Sequence, residues 1–289
     1  MMTGESEADI LPDGDVEMEG EKTYQRQLRL FTNASVEKGM ELVKIGEILS
    51  GLRRRETFLD IGAGGGDLTI PLAGSFRKTT VVEPNSRQIA HLRGQRPEFE
   101  CIRSSFAQAD LGDRRFDFIL CSHVLYYIHP GMWLPTVAKM HDHLAPGGRL
   151  VLVIQSPIGQ VAEFFNAFAS YDVPVLDLWK HLGEMYGEDN LAVRYFLSDI
   201  RTTTLDDMVD IGLFLLCDHR FRLRREEIAG YFRQRHGIPG GYRLVQDEIL
   251  LSIAKSGEPG HGLVGSEDGR APAACPGRDG PEPGDAAAR

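Results

Sequence analysis

Residues 58–67 read Phe-Leu-Asp-Ile-Gly-Ala-Gly-Gly-Gly-Asp, and this run constrains the fold more than any other part of the chain. A short apolar stretch that breaks into glycines is a buried strand feeding a tight turn. Gly62, Gly64 and Gly66 stand at alternate positions, which is not the G-x-G-x-x-G spacing of a dinucleotide fingerprint. Asp60 just before the turn would repel a diphosphate but would tolerate a cationic sulfonium and an amino group. The run therefore predicts a nucleotide-type site whose ligand carries positive charge.

Beyond the glycines the chain has the rhythm of a doubly wound sheet. Apolar strands are expected at 57–61, 79–82, 99–102, 116–121 and 149–154, with helices at 68–76, 86–96 and 132–144 between them. The last helix should stop at the turn Pro146-Gly147-Gly148. A mixed helical region comes next, and then a final strand at 244–254. A terminal pair of strands would complete a seven-stranded, mostly parallel α/β sheet with helices on both faces. Glu83 ends the second strand, where a carboxylate can accept both hydroxyls of a ribose.

Length and charge narrow the setting. Of 289 residues, 42% are hydrophobic and 26% charged, ordinary for a globular protein. Residues 1–22 are acidic and residues 256–289 rich in Gly, Pro and Ala, so both are expected to be disordered tails around a folded domain at 23–255. The formal net charge of −10 disfavours nucleic acid as a partner. No apolar run approaches the roughly 20 residues of a membrane span, and the chain starts without a secretory signal, so no membrane partner and a cytoplasmic setting are expected. The four cysteines form no C-x-x-C pair, and no metal site is expected from them.

The glycine run, Val81-Val82-Glu83-Pro84, the strand Phe116-Asp117-Phe118-Ile119-Leu120 and the turn Leu144-Ala145-Pro146-Gly147-Gly148 together resemble the class I, S-adenosyl-L-methionine-dependent methyltransferases over residues 55–155. The resemblance implies a Rossmann-like fold and S-adenosyl-L-methionine as cofactor. It implies that Gly62 and Gly64 pass beneath the methionine part, with Asp60 and Gly66 beside them. It also implies that Glu83 holds the ribose, that Gln88 reaches the adenosine edge, that Ser104 or Ser105 lies near the adenine, and that Ser122 faces the cofactor.

The acceptor has to be read outside that core. After strand four, nucleobase and protein amide methyltransferases of this fold carry Asn or Asp before Pro-Pro and an aromatic. Here the chain reads Cys121-Ser122-His123-Val124-Leu125-Tyr126-Tyr127, which points to a small molecule. Tyr24, the run Phe31-Thr32-Asn33-Ala34-Ser35-Val36-Glu37, Leu125-Tyr126-Tyr127 and Leu178-Trp179-Lys180 resemble the histamine N-methyltransferase family across most of residues 24–255. By that resemblance Glu37 binds the substrate, Asp247 replaces an Asn on the last strand, and His123 replaces a Gln after strand four. The substrate-binding insertions fall at about 24–50 and 155–242.

The residue chemistry agrees with an amine or imidazole acceptor. Glu37 and Asp247 could hold an ammonium, with Tyr24, Tyr126, Tyr127 and Trp179 as walls. His123 could be a general base, because its unperturbed pKa lies near working pH. The rivals are a small-molecule O-methyltransferase of natural-product metabolism and a non-catalytic S-adenosylmethionine-binding protein.

Overall fold

A computed structural model of the chain describes residues 18–169, 173–216 and 224–257. Two helices, α1 (Met18–Ala34) and α2 (Glu37–Ser50), precede the alternating part. That part runs β1 (Thr57–Ile61), α3 (Thr69–Ala73), β2 (Lys78–Val82), α4 (Ser86–Gln95), β3 (Glu100–Ile102), β4 (Phe116–Ser122), α5 (Trp133–Asp142) and β5 (Leu144–Gln155). Then come α6 (Gln160–Phe168), α7 (Val175–Tyr186), β6 (Leu191–Thr202), α8 (Leu205–Leu216), α9 (Arg225–Arg235), β7 (Gly237–Ile238) and β8 (Gly241–Ala254).

The sheet order is β3-β2-β1-β4-β5-β8-β6, with β7 pairing on β8, so it has eight strands where seven were expected. The extra strand is the two-residue β7. Strands β1 to β5 pair in parallel, and β8 and β6 return antiparallel at the edge. This is the Rossmann-like fold that the strand–helix rhythm predicts.

Several ends shift by one to three residues, and two boundaries differ in kind from expectation. Helix α1 starts at Met18, inside the segment expected to lack structure. The rest of that segment, residues 1–17, lies outside the described residues, as do residues 258–289. Pro146-Gly147-Gly148 was expected to be a turn but lies inside β5, as an irregularity where the β4 register jumps from Phe116–Leu144 to Phe118–Arg149. A strand bent this way keeps its neighbours because the extra residues loop out of the ladder.

Side-chain alternation sorts the core into two layers. Phe58, Phe118, Leu120, Val153 and Leu250 point to one face, where Ile45, Ile48 and Leu49 of α2 cover them. Leu59, Ile119, Leu152 and Leu251 point to the other, under Val137 and Met140 of α5 and Leu178 and Leu182 of α7. Each such fully buried side chain stabilises the fold by about 1.5–3 kcal/mol.

The entry to α2 is fixed by the edge strand. Ser35 bridges to Ile200, and the Val36 amide donates to the Asp199 carbonyl at 3.2 Å. Buried Asp210 on α8 pairs with Arg26 of α1 at 2.5 Å and with Arg225 of α9 at 2.6 Å. Among the described residues no helix is long and apolar enough to cross a membrane.

Candidate functional site

The glycine run leaves β1 over the carboxyl ends of the parallel strands, where ligands of open α/β sheets bind. Gly62, Gly64 and Gly66 adopt φ of 72°, 52° and 91°, the left-handed region that favours glycine. A Cβ on Gly62 would come within 2.3 Å of Val124 Cγ2, so the loop is packed directly against the turn after β4. Over Gly64 the space is open. Glu83 at the end of β2 accepts from the Gly64 amide at 3.0 Å and from the Asn85 amide at 2.8 Å. Gln88 lies over the same loop, 3.6 Å from where a Cβ of Gly65 would stand.

Asp60 is buried and accepts from the Thr69 hydroxyl at 2.5 Å. Burial pushes its carboxyl up to about 7. Ser104 and Ser105 follow β3, half-buried, and Ser105 Oγ bonds Gln108 Oε1 at 3.2 Å. An open glycine floor, a carboxylate at the end of β2 and a buried acid beside the loop fit an adenosyl ligand with a cationic end.

A second cluster adjoins the first. The buried face of α2 carries Glu37, Glu41, Ile45, Ile48 and Leu49, so two carboxylates occupy the first turns of an otherwise apolar stripe. They meet His123 from the end of β4 and Glu248 from β8. His123 Nε2 lies 2.6 Å from Glu37 Oε1, 3.5 Å from Glu41 Oε1 and 3.6 Å from Glu248 Oε2. The 2.6 Å contact is an ion pair between the ring and the Glu37 carboxylate. His123 has φ of 55°, the one non-glycine with positive φ among the described residues, so its backbone holds a strained conformation that aims the ring into the cluster.

Lys38 partly neutralises this box. Its Nζ lies 3.0 Å from Glu37 and 2.7 Å from Glu41. The Ser122 hydroxyl donates to Glu41 Oε2 at 2.6 Å, and the Ser198 hydroxyl to Glu248 Oε1 at 3.2 Å. Burial pushes Glu37 up, but the charges of Lys38 and His123 outweigh it and hold the carboxyl well below its usual range. Burial pushes His123 down, but Glu37 wins and holds the ring well above its ordinary value. Burial raises Glu248 to about 7. Three buried atoms here make no hydrogen bond: Glu37 Oε2, His123 Nε2 and Glu248 Oε2.

Not every predicted substrate residue comes here. The Tyr126 hydroxyl reaches within 3.5 Å of His123 Nδ1 and accepts from the Gln155 amide, so Tyr126 braces the ring. Tyr127 is 74% exposed. Trp179 on α7 packs at the edge of the core beneath the opposite face of the sheet. It lines a cleft of about 330 Å³ with Lys180, Gly183, Glu184 and Glu188, none of them from the box. Tyr24 lies on α1, and its side chain is outside the described residues. Asp247 is buried but turns to the face away from α2, where it accepts from the Tyr195 hydroxyl.

The residue on β8 that meets Glu37 is therefore Glu248, one position along from the one expected. A shift of one residue on a strand reverses the face. Glu41, Lys38 and Glu248 escaped the sequence reading. A carboxylate four residues after Glu37 on an apolar stripe was the available signal for Glu41. For Glu248 it was the alternation Gln246, Glu248, Leu250.

A family model described as a methyltransferase domain matches residues 30–194, more than half of the chain. An uncharacterized methyltransferase of Mycobacterium tuberculosis is 32% identical over 122 residues, 41% of this chain and 49% of that protein. The chain thus spans about half the length of that relative. The ubiquinone/menaquinone biosynthesis C-methyltransferase of an Enterobacter species is 28% identical over 179 residues, 57% of this chain and 68% of that protein. Among solved structures, a methyltransferase of Bacillus halodurans superposes with a TM-score of 0.53 at 16% identity, over 75% of this chain and 99% of that one. At that identity the likeness concerns the fold alone.

Proposed function

Because the chain belongs to the methyltransferase-domain family, a class I fold whose methyl donor is S-adenosyl-L-methionine, we propose that it methylates a nitrogen of a small amine or imidazole compound, of the histamine kind. The observation that carries this is the box itself. Three buried carboxylates, Glu37, Glu41 and Glu248, face two internal cations, Lys38 and His123, and two carboxylate oxygens still have no hydrogen-bond partner. Burial holds Glu248 near 7, so one more cation completes the charge by drawing that carboxyl into its ionised form, because a buried charge needs a partner.

The donor supplies an electrophilic methyl group on a sulfonium. In this proposal Gly62, Gly64 and Gly66 form the floor for its methionine part, Asp60 faces its cationic end, and Glu83 and Gln88 hold the ribose and adenosine edge. Ser104 and Ser105 border the adenine. Ser122 reaches Glu41 and so joins the donor side to the box. Glu37 and its neighbours hold the acceptor's cationic end and aim its nitrogen for in-line attack, so that the protein contributes mainly positioning. His123 is the base: a guest cation that takes over Glu37 lowers the ring's pKa, so the ring first gives its own proton to solvent and then takes one from the acceptor nitrogen. Tyr126 borders this pocket, with Tyr127 at its exposed rim. The unit that does this is residues 23–255, with both tails dispensable.

Methylation of a phenol or of a quinone ring carbon, the latter suggested by the name of the Enterobacter relative, suits the box less well. An electron-rich phenolate would meet three carboxylates. The test is a screen of imidazoles, primary amines and phenols with S-adenosyl-L-methionine and mass detection of product. Methylated amine or imidazole is expected. Methylation of phenols alone would overturn the proposal, and so would donor binding without S-adenosylhomocysteine formation on any acceptor.

A further inference from the structure

Glu37, Glu41, His123 and Glu248 each offer one ligand atom, and all four atoms lie within 4.8 Å of one another. They are not equally available. Both oxygens of Glu41 are taken, by Lys38 and by Ser122. Glu37 and Glu248 each have one oxygen engaged, by Lys38 and by Ser198, and one without a partner. His123 Nε2 is likewise without a hydrogen bond. Glu37 is 3% exposed and Glu248 0%. Two carboxylates that each keep one buried oxygen without a hydrogen bond thus meet an imidazole nitrogen held only by ion pairs, and the backbone of His123 aims the ring into the cluster.

From this geometry we propose that the box is also a zinc-type divalent metal site, with Glu37, His123 and Glu248 as ligands and the Glu41–Lys38 pair behind them. It rests on the box described above and goes beyond its use for an organic cation: metal and amine exclude each other there. One neutral imidazole nitrogen with two carboxylate oxygens is a donor set that zinc takes, leaving an open fourth position, and the His123 ring gives its proton to solvent as the metal enters. Zinc sits about 2.0–2.2 Å from such ligands in a tetrahedron, so neighbouring ligand atoms stand about 3.4 Å apart. The cluster reaches that spacing with small side-chain movements. Zinc balances the two ligand carboxylates, and Lys38, which stays on Glu37 Oε1 and Glu41, balances Glu41.

The test is titration of the full chain, stripped with chelator and dialysed, with zinc chloride alone, with bound metal counted by elemental analysis. One zinc per chain is expected, with no competition from magnesium, which demands six oxygen ligands. Glu248→Gln and His123→Gln should each weaken zinc binding by at least about tenfold to a hundredfold, the loss seen even for outer partners of metal ligands. Retained S-adenosyl-L-methionine binding shows that the variants are folded. A methylated acceptor found in the screen should raise the apparent zinc Kd in proportion to its concentration. Absence of stoichiometric zinc, or variants that bind as the parent does, would overturn the metal site. Zinc binding indifferent to the acceptor would overturn the shared use of the box. Methyl transfer assayed in chelator tests the amine proposal separately.

Discussion

His123 Nε2 stands 2.6 Å from Glu37 Oε1, joining the end of β4 to the first turn of α2. The two residues are far apart in sequence, and neither is meaningful there without the other. Lys38 and then His123 hold the Glu37 carboxyl well below its usual range, and Glu37 in turn holds the His123 ring well above its ordinary value.

Glu37→Gln keeps the shape of that contact and removes the charge. The KM for the amine acceptor is expected to rise by roughly tenfold or more, the scale of a lost charge-assisted contact of about 1.5–3 kcal/mol. S-adenosyl-L-methionine affinity should stay nearly constant, because Glu37 lies on the box and not on the glycine loop. Steady-state kinetics with separate donor calorimetry check this, and an unchanged amine KM would favour a phenol acceptor.

Glu248 and Asp247 are adjacent on β8 and face opposite sides of the sheet. Glu248→Gln should therefore raise the amine KM more than Asp247→Asn does. Equal effects would show that the acceptor reaches both faces at the sheet's edge.

Glu83→Ala removes the carboxylate that holds the Gly64 and Asn85 amides. Donor affinity is expected to fall by about ten- to a hundredfold, with the fold retained. Calorimetry that returns the parent affinity would put the ribose elsewhere.

Gly62→Ala places a Cβ 2.3 Å from Val124 Cγ2 at a φ of 72°. Strain and overpacking together should destabilise the protein by about 1–3 kcal/mol. Adding Val124→Ala should recover part of the loss, since it removes the clash and not the strain. Denaturant midpoints of the three proteins decide it.

Asp60 is expected to make stability depend on pH and, if the proposed donor site is right, donor binding as well. Its folded pKa of about 7 lies above the ordinary carboxyl value, so the folded state binds more protons between the two. Stability contributed by the neutral carboxyl is then present at low pH and declines as pH rises toward 7. A cationic donor beside Asp60 favours the ionised form, so donor affinity should rise from pH 6 to pH 8. Asp60→Asn should flatten that part of the profile, and a profile identical to the parent's would remove Asp60 from the donor site.

The sequence by itself determined the parallel sheet, the glycine loop and the carboxylate at the end of β2. These are local: an apolar run, a turn and a strand-end acid lie within a few dozen residues, and each is dictated by backbone conformation and burial. The extra strand β7 was too short to leave a periodic signal. The tertiary structure alone decided the box. Its members come from α2, β4 and β8, and only the docking of α2 on one face of the sheet selects among them. That docking picks Glu248 over Asp247, because side chains alternate across a strand. It adds Glu41 and Lys38 to Glu37, because the buried stripe of α2 continues by one turn. It leaves Trp179 under the opposite face with α7. The spacing of residues along a chain records which face of an element they share, and not which other element that face will meet.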